Sequence, residues 1–163
     1  MHSPVCFECG EPTKTEQVQS YDATALLGLS AFVEGMPVAV CPNGHRMIAG
    51  SVLDQLDLCL ALHIVTQTSL SGEEIRFLRK FLGQTQAGLG ELLEVDKQTV
   101  GRWERNEVSM PSTVALRSLV TLRAEVEYPG HRLIAPAKEA IQIPARRSPP
   151  QHTHTISSAE MCA

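Results

Sequence analysis

The sequence predicts a mainly α fold, in which a small β zinc ribbon and a connecting helix precede a five-helix domain that contains a helix-turn-helix. Three observations favour this fold. Two cysteine-containing turns flank alternating segments near the N-terminus, an apolar helical segment follows, and short amphipathic segments separated by turn residues come next. We expect a ribbon domain at 1–47, a connecting helix and hinge at 48–70, a helix-turn-helix domain at 71–128 and a disordered tail at 129–163.

The composition limits the classes of protein to which this chain can belong. Its 163 residues are 43% hydrophobic but only 4% aromatic, which predicts a folded and largely aliphatic core. The net charge of −4 is not that of a strongly basic DNA-binding protein. Between Glu73 and Arg123, however, eight Lys or Arg residues balance seven Asp or Glu residues. This balance predicts modest non-specific affinity for DNA and a fitted interface, formed by a homodimer.

The cysteines and the apolar runs predict the compartment. We expect no secretion signal, because no apolar N-terminal segment with a cleavage site is seen. No uncharged apolar run reaches about 18 residues, so no membrane span is expected. Five cysteines with one metal-type pair favour a reducing cytoplasm over a disulfide framework. The prediction is a cytoplasmic protein, associated with the nucleoid if it binds DNA.

Two turns carry residues of the types that bind metals. The Cys-x-x-Cys-Gly sequence at 6–10 turns tightly enough to aim two thiolates at one ion, and the turn at 41–45 supplies a second pair. A redox-active cysteine pair is the alternative, but the matching second turn favours zinc. Four protein ligands would leave no open position, so the zinc would be structural. The predicted ligands are Cys6, Cys9, Cys41 and His45.

The segments beside these turns predict two strands and a helix. Alternating residues at 13–20 and 31–40 indicate short antiparallel strands. Residues 46–68 are apolar over most of a helical circumference, so we expect this helix to pack on the ribbon or on a second copy of the chain. Ser51 followed by Asp54 predicts a capping box near its start.

Residues 83–107 predict two short helices joined by a tight turn. Thr85 can cap a first helix that begins at Gln86, and Asp96 can cap a second helix at 97–106. Glu94 and Val95 form the turn between them. Val100 and Trp103 form an inward face on the second helix and leave its polar residues outward, where Gln and Arg can pair with adenine and guanine edges. The predicted DNA-binding residues are Gln86, Lys97, Gln98, Thr99, Arg102 and Arg105.

This stretch resembles the helix-turn-helix of the Cro/CI (XRE) family of repressors. Residues 74–80 resemble the first helix of that family, and residues 111–123 resemble its closing helices. The matching residues in between are Thr85, Gln86, Ala87, Leu89, Leu92, Val95, Thr99, Val100, Arg102, Trp103, Glu104 and Arg105. The departures are Gly88, Glu94 and Asn106, where that family often has Glu, Gly and Gly. At Glu94 the resemblance implies a left-handed turn conformation.

A zinc ribbon followed by such a domain is similar to the MqsA family of antitoxins, over roughly residues 5–126. The resemblance implies a dimeric repressor that autoregulates its operon, with an N-terminal zinc domain that binds a toxin. It also places Gln98 and Arg102 at the base-reading positions. The last Cys of the family's zinc knuckle corresponds to Gly44, so His45 would have to replace it.

The sequence therefore predicts a sequence-specific repressor that binds an inverted-repeat operator, as the antitoxin of a type II toxin–antitoxin pair. The alternatives are a regulator without a toxin and a zinc-ribbon protein-interaction module. An enzyme is not expected, because no nucleophile–base set is present and the zinc site is closed.

In the C-terminal part, 110–126 predicts a helix with excess apolar residues. Five prolines after Tyr128 predict disorder.

Overall fold

The computed structural model describes residues 4–67, 69–106, 113–141 and 153–161, and 51% of these residues are helical. Within these ranges the chain forms eight helices and four strands. The strands are β1 (Lys14–Asp22), β2 (Ala31–Val40), β3 (Arg46–Met47) and β4 (His154–Ser157). The helices are α1 (Thr24–Leu27), α2 (Gly50–Thr66), α3 (Gly72–Phe81), α4 (Gln86–Leu92), α5 (Lys97–Glu104), α6 (Thr113–Glu127), α7 (Ile134–Ala140) and α8 (Ser158–Met161).

Strand β2 lies at the centre of a four-stranded mixed sheet. It pairs with β1 antiparallel from Phe32 to Val40. On the other edge of β2, β3 pairs antiparallel near the C-terminal end of β2. On that same edge, β4 pairs parallel near the N-terminal end of β2. The two predicted strands are therefore confirmed, but the sheet is not a small ribbon. The sequence could not show this, because β4 has only four residues and pairs with a strand more than a hundred positions away.

Helix α2 is the central helix of the molecule. It packs against α3, α6, α7, α8 and β4. Its second half is buried on nearly every side, as the all-round apolar pattern predicted. The capping box expected at Ser51 is wrong, because the helix begins at Gly50 and Ser51 lies inside its first turn. Cys59 is a core residue, and its thiol donates a hydrogen bond to the Glu160 carbonyl at 3.2 Å.

One hydrophobic core runs through the described part of the chain. It begins at Ala23, includes the inner residues of β2, α2 and α3–α7, and ends at Ile156 and Met161. The prediction of a mainly α, five-helix domain behind a separate small ribbon is therefore wrong, since the helices and the four-stranded sheet share their buried surface. No helix of the described residues is long and apolar enough to cross a membrane.

The segment after Tyr128 is ordered where the structure describes it. Helix α7 buries Ile134 and Ala137, and buried Arg117 of α6 donates to the Ala140 carbonyl at 3.2 Å. Pro136 does not prevent the helix, because it lies in the first turn, where its missing N–H has no intrahelical partner to lose. The predicted disorder is wrong for 129–141 and 153–161. The rest of the tail for which disorder was predicted, including Pro144, Pro149 and Pro150, lies outside the described residues.

Candidate metal centre and nucleic-acid interface

The first cysteine turn folds as a closed knuckle. The Gly10 N–H donates to the Cys6 carbonyl at 2.8 Å, and the Cys6 N–H donates to the Glu11 carbonyl at 2.8 Å. Gly10 has a φ of +73°, a conformation that suits glycine at this turn. The hydrogen bond from the Thr13 N–H to the Pro4 carbonyl, 2.9 Å long, closes the base of the knuckle. Both thiols consequently leave the same side of one tight turn.

The second turn has a matching construction between β2 and β3. The Gly44 N–H donates to the Cys41 carbonyl at 2.9 Å, and the Cys41 N–H donates to the His45 carbonyl at 3.1 Å. Cys41 follows the last residue of β2, and His45 precedes the first residue of β3. Because these two strands pair at Val40 and Arg46, both side chains are held by the sheet.

The two knuckles bring four metal-ligating side chains together. The sulfur or nitrogen atoms of Cys6, Cys9, Cys41 and His45 all lie within 4.8 Å of one another. Cys6 Sγ is 3.5 Å from His45 Nδ1, and Cys9 Sγ is 3.7 Å from Cys41 Sγ. Cys6 and Cys41 are buried, while Cys9 and His45 are half-buried. The four predicted ligands are thus close enough to hold one metal ion.

The surroundings of the cluster favour its ligand role. Glu8 Oε2 lies 3.3 Å from His45 Nε2, which leaves Nδ1 directed at the sulfurs. Hydrogen bonds from the backbone of Glu11 and the side chain of Asn43 lower the pKa of the Cys9 thiol to about 6, whereas burial raises the pKa of Cys6. The contact of Glu8 with His45 was not predicted from the sequence. The position of Glu8 between Cys6 and Cys9 was a local signal that could have indicated it.

Helices α4 and α5 are the two short helices predicted at 83–107, joined by a tight turn. Thr85 caps α4, accepting from the Gly88 N–H at 3.0 Å, and Asp96 caps α5, accepting from the Thr99 N–H at 2.6 Å. Glu94 adopts the expected left-handed conformation, with a φ of +57°. Helix α5 ends at Glu104 rather than at the predicted Asn106, because Asn106 also has a positive φ of +58°.

Most of the predicted DNA-binding residues lie on the outside of this unit. Val100 and Trp103 are buried, so the opposite face of α5 is exposed. Thr99 and Gln86 are half-buried. The side chain of Gln86 is engaged within the protein, because its Nε2 donates a hydrogen bond to Glu104 at 2.9 Å. The exposed residues are Lys97, Gln98, Arg102 and Arg105.

A buried ion pair that the sequence did not reveal fixes α5 against α3. Arg79 Nε lies 2.5 Å from Glu104 Oε1, and Arg76 Nε lies 3.4 Å from Glu104 Oε2. Burial alone would raise the pKa of the Glu104 carboxyl. Hydrogen bonds from Arg79 and Gln86 and the charges of Arg79 and Arg76 outweigh burial and hold that pKa below its ordinary value. These contacts fix the orientation of α5 relative to α3.

Comparisons with known proteins identify no relative. No family model matches this chain, and no curated protein or solved structure matches it significantly. The resemblance to Cro/CI-type repressors and to MqsA antitoxins therefore remains a prediction from sequence motifs.

Proposed function

We propose that this protein is a sequence-specific DNA-binding regulator, a repressor that uses α5 to read the major groove. The observation that supports this proposal most is the division of α5 into two faces. Val100 and Trp103 are buried, while Lys97, Gln98 and Arg102 are exposed on the other side. A two-faced helix that follows a capped helix and a tight turn suits insertion into a groove.

The exposed residues have distinct roles in this proposal. Gln98 and Arg102 are four residues apart, so their side chains lie on the same side of the helix. Gln can bond an adenine edge and Arg a guanine edge, so these two residues would read bases. Lys97 at the helix start would contact phosphate and contribute affinity without sequence preference. The phosphate contact predicted for Gln86 requires its amide to leave Glu104, so we expect Gln86 mainly to position α5.

A homodimer follows from the outer face of α6. Leu122 and Val126 are 59% and 73% exposed, Leu119 is half-buried and Ala115 is exposed. These four residues are spaced by four, three and four positions, which is the spacing of an apolar seam between two helices. Pairing of two α6 helices would join two reading units, and such a dimer would recognise an inverted repeat.

Zinc is the ion we propose for the metal site. A tetrahedral zinc with Zn–S near 2.3 Å and Zn–N near 2.0–2.1 Å has S···S edges of roughly 3.7–3.8 Å and S···N edges of roughly 3.5 Å. The distances between Cys9 and Cys41 sulfurs, 3.7 Å, and between Cys6 Sγ and His45 Nδ1, 3.5 Å, agree with these edges. With four protein ligands, the zinc would hold the knuckles together and perform no chemistry.

A protein partner is the other part of the proposal. Residues 4–67 carry seven Asp or Glu residues and two Lys or Arg residues, and Phe7 is 92% exposed beside the metal ligands. An acidic surface with an exposed aromatic side chain suits a basic partner protein. A toxin of a type II pair would fit, and the chain would then act as an antitoxin that represses its own operon in the cytoplasm, at the nucleoid. The same surface supports the alternative, an interaction module with weak DNA binding.

A gel-shift assay with the DNA upstream of the protein's own gene tests the proposal. The parent should bind this DNA selectively, and the double variant Gln98→Ala/Arg102→Ala should lose at least about 1–3 kcal/mol of specific binding. Lys14→Ala, an exposed basic residue on β1, is the matched control and should bind like the parent. Equal and equally selective binding by the folded double variant would favour the interaction module instead.

A further inference from the structure

A buried polar cluster connects the C-terminal segment, residues 153–161, to α2 and α3. His154 and Glu74 are 2% and 1% exposed, and His154 Nε2 lies 3.0 Å from Glu74 Oε1. The His63 ring of α2 meets the His154 ring edge to face, with centroids 5.5 Å apart. A buried histidine–carboxylate pair, with a second histidine ring against it, thus lies where the sheet meets the helices.

Backbone and core contacts hold the segment in place. The His154 N–H donates to the Ser30 carbonyl at 3.0 Å and begins the parallel pairing of β4 with β2. Ile156 and Met161 are buried in the core, and Arg132 donates to the Ala159 carbonyl at 2.8 Å. The segment therefore covers the edge of β2 with a strand and the side of α2 with a short helix.

Glu74 links this segment to the helix-turn-helix. It is the third residue of α3, where it forms a capping box with Ser71: the Ser71 N–H donates to Glu74 Oε2, and the Glu74 N–H donates to Ser71 Oγ. Gly72, which follows Ser71, donates its N–H to Asn106 Oδ1 at 2.6 Å. Asn106 lies just after the end of α5. The ion pair with His154 thus stabilises the start of α3 where it contacts the end of α5.

His63 is built to be neutral in this arrangement. The Gln67 Nε2 amide donates to His63 Nε2 at 3.1 Å, so that ring nitrogen must accept and carry no proton. A proton on His63 Nε2 would break this hydrogen bond and place a positive charge against the His154 ring.

We propose that residues 153–161 form an acid-opened clasp, which closes over β2 and the start of α3 while His63 is neutral and is released when His63 gains a proton. Opening would free the edge of β2 at 31–34 and leave Glu74 without its partner on β4. The clasp is a property of this fold and does not depend on DNA binding.

The charges around His63 set the direction of the pH dependence. Burial and then the charge of His154 lower the pKa of His63, and Glu160 and Glu74 oppose them only in part. At His63 the unfolded chain therefore binds more protons than the folded chain as the pH falls below about 6.5, so this group destabilises the closed form at acid pH. Three other charged or titratable groups lie near this cluster. Arg117 of α6 donates to the Gln67 carbonyl at 2.5 Å. His131 and Arg132 precede α7 and lie close to α8.

Hydrogen exchange of the full-length, metal-loaded protein tests the clasp. Protection factors, corrected for the intrinsic exchange rate, are compared at pH 7.5 and pH 5.5, with the metal content measured at both values. Protection of 153–161 should fall at the lower pH, by up to roughly tenfold, because pH 5.5 lies about one unit below the ordinary pKa of histidine. Protection of α6 should not fall with it. Equal corrected protection of 153–161 at both pH values would overturn the proposal.

Two histidine variants assign the effect. His63→Gln cannot gain a proton, so its protection of 153–161 should be the same at both pH values. His131→Gln removes a buried histidine that also lies near this segment and should keep the parent's pH dependence. If His131→Gln abolishes the dependence and His63→Gln does not, the mechanism is wrong.

Glu74→Gln is a second, independent check, which applies even where His63→Gln does not fold. The carboxamide can still accept from the Ser71 N–H but cannot balance an imidazolium charge. Without the negative charge that offsets a proton on His63, protection of 153–161 should fall further between pH 7.5 and pH 5.5 than it does in the parent. A fall equal to that of the parent would mean that Glu74 takes no part in the release.

Discussion

At the residue scale, contacts with backbone atoms decide what each position tolerates. The two glycines of α4 show this clearly, since the sequence gives no reason to distinguish them. A Cβ at Gly90 would lie 2.6 Å from the Val95 carbonyl oxygen, which is part of the turn to α5. A Cβ at Gly88 would meet Gln84 Oε1, the end of a flexible side chain. Gly90 is therefore required for the close approach of the turn, and Gly88 is not.

The two alanine substitutions should have opposite effects. Gly88→Ala should raise the free energy of unfolding by about 1 kcal/mol, because alanine favours a helix interior over glycine. Gly90→Ala should lower it by about 1–3 kcal/mol, since the added methyl group displaces the turn backbone. Urea unfolding of both variants measures the difference. Changes of the same sign would contradict this description of the α4–α5 turn.

A second residue-scale prediction concerns Glu8. Its carboxylate lies 3.3 Å from His45 Nε2 and would orient that ring toward the metal. Glu8→Ala should therefore lower metal affinity about 10–100-fold, as removal of such an outer partner usually does. Competition with a chromogenic chelator measures the affinity. Glu11→Ala is the control, because it is the backbone of Glu11 that contacts the site; equal losses in the two variants would argue against the orienting role.

At the scale of elements, local signals predicted well and distant pairings did not. The caps at Thr85 and Asp96 and the left-handed Glu94 were predictable, because each depends on a few consecutive residues. The same is true of the two cysteine knuckles. Strand β4 was not predictable, since four residues become a strand only beside β2. The ion pair of Arg79 with Glu104 likewise depends on the packing of α3 against α5.

Removal of the C-terminal elements tests the corrected account of the tail. A chain that ends at Tyr128 lacks the buried side chains of Ile134, Ile156 and Met161. Each such side chain contributes roughly 1.5–3 kcal/mol when buried, so the free energy of unfolding should fall by at least about 3 kcal/mol. Thermal and urea unfolding of the two chains measure this. Unchanged stability would restore the sequence-based expectation that the tail contributes few buried contacts.

At the scale of the whole molecule, one shared core joins the sheet that carries the candidate metal ligands to helices α4 and α5. Sequence patterns divided the chain into separate units, because they identify each amphipathic segment but not the segment that covers it. Helix α2 illustrates this: its apolar circumference predicted burial, and only the structure shows that the sheet edge and four helices cover it. The candidate metal ligands were predictable as a set, while the partners of Glu74 and Glu104 were not.

The central claim is that α5 reads DNA, and selection of binding sites from a random DNA library tests it most directly. The parent should enrich an inverted repeat whose half-sites lie about one helical turn apart, ~34–36 Å centre to centre. Arg102→Ala should lose preference at particular base pairs of each half-site, whereas Lys97→Ala should keep the sequence preference and bind all sites more weakly. Failure of the folded parent to enrich any sequence, or an unchanged preference in Arg102→Ala, would contradict the claim.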